Sequence, residues 1–249
     1  VTDLSSYIAG KQVLFNAVNN TEERVTLDNI RATFTRGYVR FNELMNTAKG
    51  KTVSIVGSGP SLKRTYKQII GDVIACNSAH DFLIGKGIIP KYAMFWDANP
   101  IIAKFAQKPH SSVIYLVASR CHPDVFKALS GYRVVVFHAL AGENIEQYLI
   151  AANRMEPMIG GGCAGVTRGT HLAGAMGYKE MHLFGVDSSY SESETHVESS
   201  ITEQKQMRLR VCGKWFTTAP WMALQVADFK ELGPHLQKDG VKFVVHGTG

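Results

Sequence analysis

The chain has 249 residues, of which 45% are hydrophobic, 19% charged and 10% aromatic, and its formal net charge is +6. That composition excludes a disordered chain, and no apolar run reaches the roughly 18 residues that a transmembrane helix needs. Cys76, Cys121, Cys163 and Cys212 are widely spaced and form no CxxC pair, which argues against a structural zinc site and a disulfide scaffold. The basic excess suits a phosphate-bearing ligand, a nucleic acid or an anionic glycan, or it is a solvated surface with a few extra lysines. Residues 1–10 lack a basic segment followed by a long apolar one. No secretory leader is therefore expected, and a cytoplasmic location is.

Leu27, Ile30, Phe34, Tyr38, Phe41 and Met45 recur at spacings of three and four, which describes one face of a helix over 26–46. Thr26 and Asn29 are weak start signals, and Gly50 follows the last apolar position. The first 50 residues thus read as an N-terminal helical appendage, and 51–249 as the main domain. From Thr52 onward, short runs rich in Val, Ile and aromatics stand at 52–56, 72–76, 92–96, 112–117, 133–137, 180–184 and 241–246. Helix-compatible stretches lie between them at 79–86, 123–129, 142–154, 164–176 and 219–237. This alternation predicts an α/β fold, a Rossmann-like, doubly wound and mostly parallel sheet with helices on both faces. Ligands of such sheets bind beyond the carboxyl ends of the strands, at the switch point.

The loops after the strands carry the candidate site. The first is Gly57-Ser58-Gly59-Pro60-Ser61-Leu62. Its glycines permit a tight turn and a close ligand, Pro60 suits a first helical turn, and the Ser58 and Ser61 hydroxyls can join a helix N-terminus in holding an anion. It is neither a dinucleotide GxGxxG nor a Walker A loop, so it reads as a phosphate or ribose site or as an ordinary strand–turn–helix. Asn77 offers a donor and an acceptor, or caps the next helix. Asp97 can meet a ribose, a cation or an amine, or else Asp97 or Asn99 caps the following helix. The run Gly160-Gly161-Gly162 before the 164–176 helix is costly in backbone entropy, and it makes sense where backbone faces a phosphate. Gly169, Gly174 and Gly177 read as close helix–sheet packing.

The loop after 180–184 carries Asp187, Tyr190 and His196: an acid, a phenol able to donate to a leaving phosphate oxygen, and an imidazole able to act as general base near neutral pH. Lys205, Arg208, Arg210 and Lys214 precede Trp215-Phe216. This pattern can hold a nucleic acid or an acidic acceptor, or is a solvated helix face.

These motifs, in this order, resemble the family named after the archaeal 6-hydroxymethylpterin pyrophosphokinase, which includes flagellin-modifying proteins that attach nonulosonic acids. The resemblance rests on Val56-Gly57-Ser58-Gly59-Pro60-Ser61-Leu62, on Gly85-Lys86-Gly87-Ile88-Ile89-Pro90-Lys91-Tyr92 followed by Asp97, on Gly160-Gly161-Gly162, and on Gly185-Val186-Asp187-Ser188-Ser189-Tyr190 with Thr195-His196. It covers roughly residues 50 to 247. The chain is also similar to Campylobacter-type sialyltransferases, through the Gly-x-Gly-Pro-Ser-Leu turn, Cys76-Asn77, and Gly177-Tyr178-Lys179-Glu180 running into Gly185-Val186-Asp187.

The resemblance implies a nucleotide-binding transferase. Gly57, Ser58, Gly59, Ser61, Asn77, Asp97, Gly161, Gly162 and Asp187 would hold the nucleotide, and His196, Tyr190 and Asp187 would carry the chemistry. The favoured reading is a sialyltransferase-like glycosyltransferase with a CMP- or UDP-type sugar donor, no metal, and an acceptor hydroxyl on a glycan, a protein or modified DNA. The first alternative is a pyrophosphokinase using ATP and magnesium on a pterin-like hydroxymethyl substrate, with Asp97 and Asp187 holding the metal. The second is a non-catalytic nucleotide-binding protein. A homo-oligomer is compatible with all three.

Overall fold

The computed structural model describes residues 3–8, 11–16, 21–140, 143–152, 157–190, 194–196, 199–200 and 206–247. A backbone hairpin, β1 (Asp3–Ile8) and β2 (Lys11–Asn16), precedes helix α1 (Glu23–Phe34) and strand β3 (Val39–Arg40). The main alternation follows as β4 (Thr52–Val56), α2 (Leu62–Thr65), β5 (Asp72–Cys76), α3 (Ala79–Gly85), β6 (Tyr92–Phe95) and β7 (Ile114–Ala118). It continues as α4 (Pro123–Ala128), β8 (Val134–Ala139), α5 (Glu143–Ala151), β9 (Met158–Ile159), α6 (Gly165–Met176) and β10 (Glu180–Phe184). Two small antiparallel pairs come next: β11 (Glu194–His196) with β12 (Ser199–Ser200), and β13 (Met207–Val211) with β14 (Lys214–Thr218). Helix α7 (Pro220–Lys238) and strand β15 (Lys242–His246) end the chain's described part.

Nine strands form one sheet in the order β15-β10-β4-β5-β6-β7-β8-β3, with β9 also on β8. Every pairing in it is parallel, as crossover helices require. From β4 the chain winds one way to β8 and then returns to place β10 on the other side of β4. The switch point therefore lies between the carboxyl ends of β4 and β10.

Period-two alternation sorts the strands' side chains into two cores. Val53, Ile55, Ile74 and Cys76 face α6, whose Leu172, Ala173 and Met176 are buried against them. Val56, Val73 and Ala75 face the other way, onto Leu62, Ala79, Phe82 and Leu83 of α2 and α3. Burying each of these large side chains contributes about 1.5–3 kcal/mol. Helix α6 sits close to the sheet because Gly169 has no side chain: a Cβ there would lie 3.1 Å from Ile55 and 3.2 Å from the Cys76 sulfur. Gly169 thus serves the helix–sheet packing expected of it, whereas Gly174 serves helix–helix packing instead, since a Cβ there would meet Leu236 of α7 at 2.7 Å.

The N-terminal segment differs from its sequence reading. The helix stops at Phe34, and Val39–Arg40 joins the sheet as an edge strand on β8. Phe41, Leu44 and Ala48 then enter the main core. The three-and-four spacing continues past the helix only because Tyr38 and Phe41 pack on the main core by other routes, while Met45 is exposed. The basic stretch is likewise a hairpin, not a helix face. Met207 and Leu209 pack inward against Ala223 and Leu224, while Arg208 and Arg210 are exposed. Among the described residues, no helix is long and apolar enough to cross a membrane.

Candidate functional site

At the switch point the loops after β4 and β10 close on each other through backbone. Gly57 N–H donates to Phe184 O at 2.8 Å and Gly59 N–H to Gly185 O at 2.9 Å. A Cβ on Gly57 would stand 2.6 Å from Gly185 O, and one on Gly59 would strike Gly185 O and the Asp187 carboxylate. These two glycines therefore admit the neighbouring loop, and they also line the cleft above it. Asp187 Oδ2 accepts from Ser61 N–H at 2.8 Å. The N-terminus of the short helix α2 is thus filled by the protein's own carboxylate, and Ser61 is buried beneath it.

A cleft of about 190 Å³, open to solvent, lies above this floor. Gly57, Ser58, Gly59, Asn77, Asp97 and Asp187 line it, as the sequence predicts for a nucleotide site. Cys163, Ala164 and Gly165 from the start of α6, Ser188 and Ser189, and Trp221, Met222 and Gln225 from α7 complete the walls. Helix α6 begins at Ala164 with no side-chain cap and no acid in its first turn. Its first N–H groups and the positive end of its dipole meet the cleft. No Lys, Arg or His lines the cleft among the described residues, so an anion entering it would meet backbone amides and hydroxyls.

Asn77 adopts φ +50°, and the helix after it starts at Ser78. Asn77 is therefore not the cap, and its Oδ1 is buried without a hydrogen bond among the described residues. Its amide nitrogen lies 3.6 Å from the position a Cβ on Gly165 would take. This places the Asn77 amide beside the start of α6. Asn99 does cap, accepting from Ile101 N–H at 3.0 Å, and Asp97 Oδ1 accepts from Asn99 N–H at 3.0 Å.

Gly161 and Gly162 do not reach the cleft wall. Gly161 (φ +110°) packs on the backbone of Arg168, and a Cβ on Gly162 (φ +64°) would run into the Asp228 carboxylate. Asp228 also accepts from Cys163 N–H at 2.8 Å. The glycine run thus shapes the entry to α6 from behind and presents residues 163–165 to the cleft.

Arg168 and Arg120 were not singled out by sequence reasoning. Arg168 is 3% exposed. It donates to Ile159 O, Leu140 O and Gly162 O, each at 2.8 Å. Its guanidinium lies 4.3 Å from the centre of the Trp96 ring. Burial, and then the neighbouring Arg120, push its pKa down to about 10. Arg120 sits 5.4 Å from the same ring, just past β7. The available signal was one arginine inside the small and apolar helix Gly165–Met176, since a buried charge needs partners.

His171 of α6 accepts from Gly160 N–H through Nδ1 at 2.9 Å, which requires an unprotonated Nδ1. Burial, and secondly Arg168, hold its pKa below 6.5. As pH falls through 6.5 the unfolded chain takes up the proton first, so stability is lost on acidification. Melting curves at about pH 7.5 and about pH 5.5 should show a lower Tm at the acid value. His171→Asn, which keeps an acceptor but does not titrate, should blunt the fall, and an equal fall in the variant would contradict this.

Tyr190 does not line the cleft. It is 9% exposed and packs with Ala219, Met222 and Trp221 behind the wall, and burial raises its hydroxyl pKa. Its Oη has no hydrogen bond among the described residues. The backbone of His196 lies in β11 opposite Ser199, and its side chain is outside the described residues. Cys163 gives its thiol to Trp221 O at 3.4 Å, and burial, then Asp228, raise its pKa, so it is no thiolate nucleophile. No group of three or more His, Cys, Asp or Glu side chains is placed to hold a metal among the described residues. Asp97 and Asp187 share the cleft, yet each already accepts from a backbone N–H.

Fold and cleft together define an α/β protein with a polar site at its switch point, the place where such sheets bind nucleotides. The family model described as "6-hydroxymethylpterin diphosphokinase MptE-like" matches residues 25–193, and the chain belongs to that family. The match begins within α1, earlier than the sequence motifs suggested, and ends at residue 193, short of the expected 247 and before Thr195-His196. No curated protein matches the chain significantly.

Among solved structures, the MAf glycosyltransferase from Magnetospirillum magneticum AMB-1 is similar in fold, with a TM-score of 0.59 and 19% identity. The similarity covers 89% of this chain but 37% of that one. The sialyltransferase CstII from Campylobacter jejuni, solved with cytidine-5'-monophosphate, gives a TM-score of 0.40 at 19% identity, covering 79% of this chain and 80% of that one. A mammalian sialyltransferase gives 0.46 at 12% identity, covering 92% and 80%.

Proposed function

We propose that this chain is a glycosyltransferase that takes a sugar from a CMP- or UDP-type donor and gives it to an acceptor hydroxyl. The observation that carries this reading is the make-up of the cleft. A helix N-terminus with no side-chain cap, the Asn77 amide, and Ser58, Ser188 and Ser189 line one space that no cationic side chain lines among the described residues. That suits a leaving nucleotide phosphate stabilised by backbone dipoles. The fold it shares with the MAf glycosyltransferase agrees with this.

In this reading the donor phosphate lies at Ala164–Gly165, Asn77 and Asp97 meet the nucleoside, and Asp187 fixes the floor by holding Ser61. His196, on the segment that follows β10, takes the acceptor proton. Tyr190 supports the wall formed by Trp221 and Met222 and does not deliver a proton.

The family's description supplies a second reading, diphosphate transfer from ATP. It would place a highly charged phosphate chain beside Asp97 and Asp187, and magnesium would have to come between them. No step above depends on that ion. Turnover separates the two readings. With a CMP- or UDP-sugar the protein should release free nucleotide in the presence of EDTA, and His196→Ala should slow release by about 100-fold or more. Release of AMP from ATP with magnesium, and no nucleotide-sugar turnover, would overturn the proposal.

A further inference from the structure

Strands β13 and β14 form a two-stranded arm outside the main sheet, turned by Cys212 (φ +48°) and Gly213 (φ +81°). Two positive-φ residues give the hairpin turn that matches strand twist. Period two gives the arm two unlike faces. Met207 and Leu209 pack onto α7, whereas Arg208, Arg210 and Trp215 point away. Trp215 is 59% exposed, the only aromatic among the exposed large apolar side chains of the described residues. It pairs across the ladder with Arg210, and the Arg208 guanidinium lies 5.2 Å from its ring centre. Lys214 adds a third cation at the turn, and 206–218 contains no acid.

The root of the arm is fixed to the cleft. Thr218 Oγ1 donates to Ser188 O at 2.7 Å, and Tyr190 N–H donates to Thr217 O at 2.8 Å. The chain then passes directly into Trp221 and Met222 of the cleft wall. The basic, aromatic face therefore begins at the rim of the proposed donor site.

We propose that this outward face binds an acidic glycan, the acceptor of the reaction proposed above, on which the inference rests. Arg208 and Arg210 are about 7 Å apart along the strand, a spacing suited to acid groups on neighbouring sugars, and guanidinium matches carboxylate or sulfate in two-point geometry. One indole offers a flat apolar surface to one sugar ring. A single-stranded nucleic acid is the weaker fit, because it uses successive aromatics for successive bases and this face has one.

The test is fluorescence anisotropy with labelled oligogalacturonate and labelled heparin oligosaccharide, which separate carboxylated from sulfated glycan. Uncharged maltooligosaccharide and single-stranded DNA serve as comparators. At least one acidic glycan should bind, more weakly as salt rises, and the uncharged chain should not. Trp215→Ala should weaken binding about 10-fold or more, and the double variant Arg208→Gln, Arg210→Gln should flatten the salt dependence. Both variants should keep the wild-type Tm and its rise with CMP or UDP. Acidic-glycan binding that is absent, or untouched by either variant, overturns the proposal, as does tighter binding of the DNA. Variant-sensitive glycan binding in a protein that no nucleotide stabilises would instead overturn the role as acceptor site and the glycosyltransferase reading with it.

Discussion

Replacing Arg168 by methionine is expected to lower stability by about 3–5 kcal/mol, the usual cost of removing one side of a buried charged network. The guanidinium satisfies the carbonyls of Leu140, Ile159 and Gly162 at once. Methionine has no donor, so Leu140 O and Gly162 O would lose the Arg168 bond, at about 1–3 kcal/mol for each left buried and unpaired, while Ile159 O would keep its bond from Leu140 N–H. Asp228, also buried, would lose the nearby cation that offsets it. For a chain of this size the loss corresponds to a fall in Tm of about 6–20 °C. Arg168→Lys should recover only part of it, because one ammonium cannot span the three carbonyls that the planar fork reaches. A melting temperature for Arg168→Met within about 2 °C of the wild type would show that the network is not holding α6 to the sheet.

Gly59→Ala is expected to damage the site itself. The new methyl would lie 2.7 Å from Gly185 O and on the Asp187 carboxylate. Backbone cannot swing aside as a flexible side chain can, so the loops after β4 and β10 must part. The Gly59–Gly185 and Ser61–Asp187 bonds would go with them. Overpacking of this kind costs about 1–3 kcal/mol. The floor of the cleft would also be displaced, so nucleotide affinity should fall about 10-fold or more. Gly85→Ala is the control. It ends α3 with no atom within 4 Å of the new methyl, and should leave stability and binding unchanged or slightly improved. Titration of both variants with CMP and UDP checks the pair, and equal affinity for Gly59→Ala and wild type would contradict this account of the floor.

The sheet was legible because its strands are buried on both faces. Thr52–Val56, Asp72–Cys76 and Glu180–Phe184 match their sequence bounds. Unbroken Val- and Ile-rich runs between turn residues leave little choice. The binding edge follows from topology, so the sequence alone points to Ser58, Asn77, Asp97 and Asp187, and all four line the cleft. The meaning of the glycines was not legible. A sequence shows that a side chain is missing at Gly57, Gly59, Gly161 and Gly162, but not whether a ligand or a neighbouring loop fills the space. Here the Gly185 loop, Arg168 and Asp228 fill it.

Arg168 and Arg120 escaped notice for a related reason: their partners are backbone carbonyls and an indole, which leave no spacing pattern. The hairpin did leave one. Met207, Leu209 and Val211 alternate with Arg208 and Arg210, a period of two that the abundance of basic residues obscured.

The most direct test of the central claim, that the cleft holds the nucleotide of a sugar donor at the start of α6, is calorimetric titration of the wild-type chain. CMP, UDP and ATP would each be titrated first with EDTA and then with magnesium. The account predicts saturable binding of CMP or UDP in EDTA, little changed by magnesium, and lost in Gly59→Ala. Binding of ATP alone, and only with magnesium, would contradict it and make diphosphate transfer the function of the site.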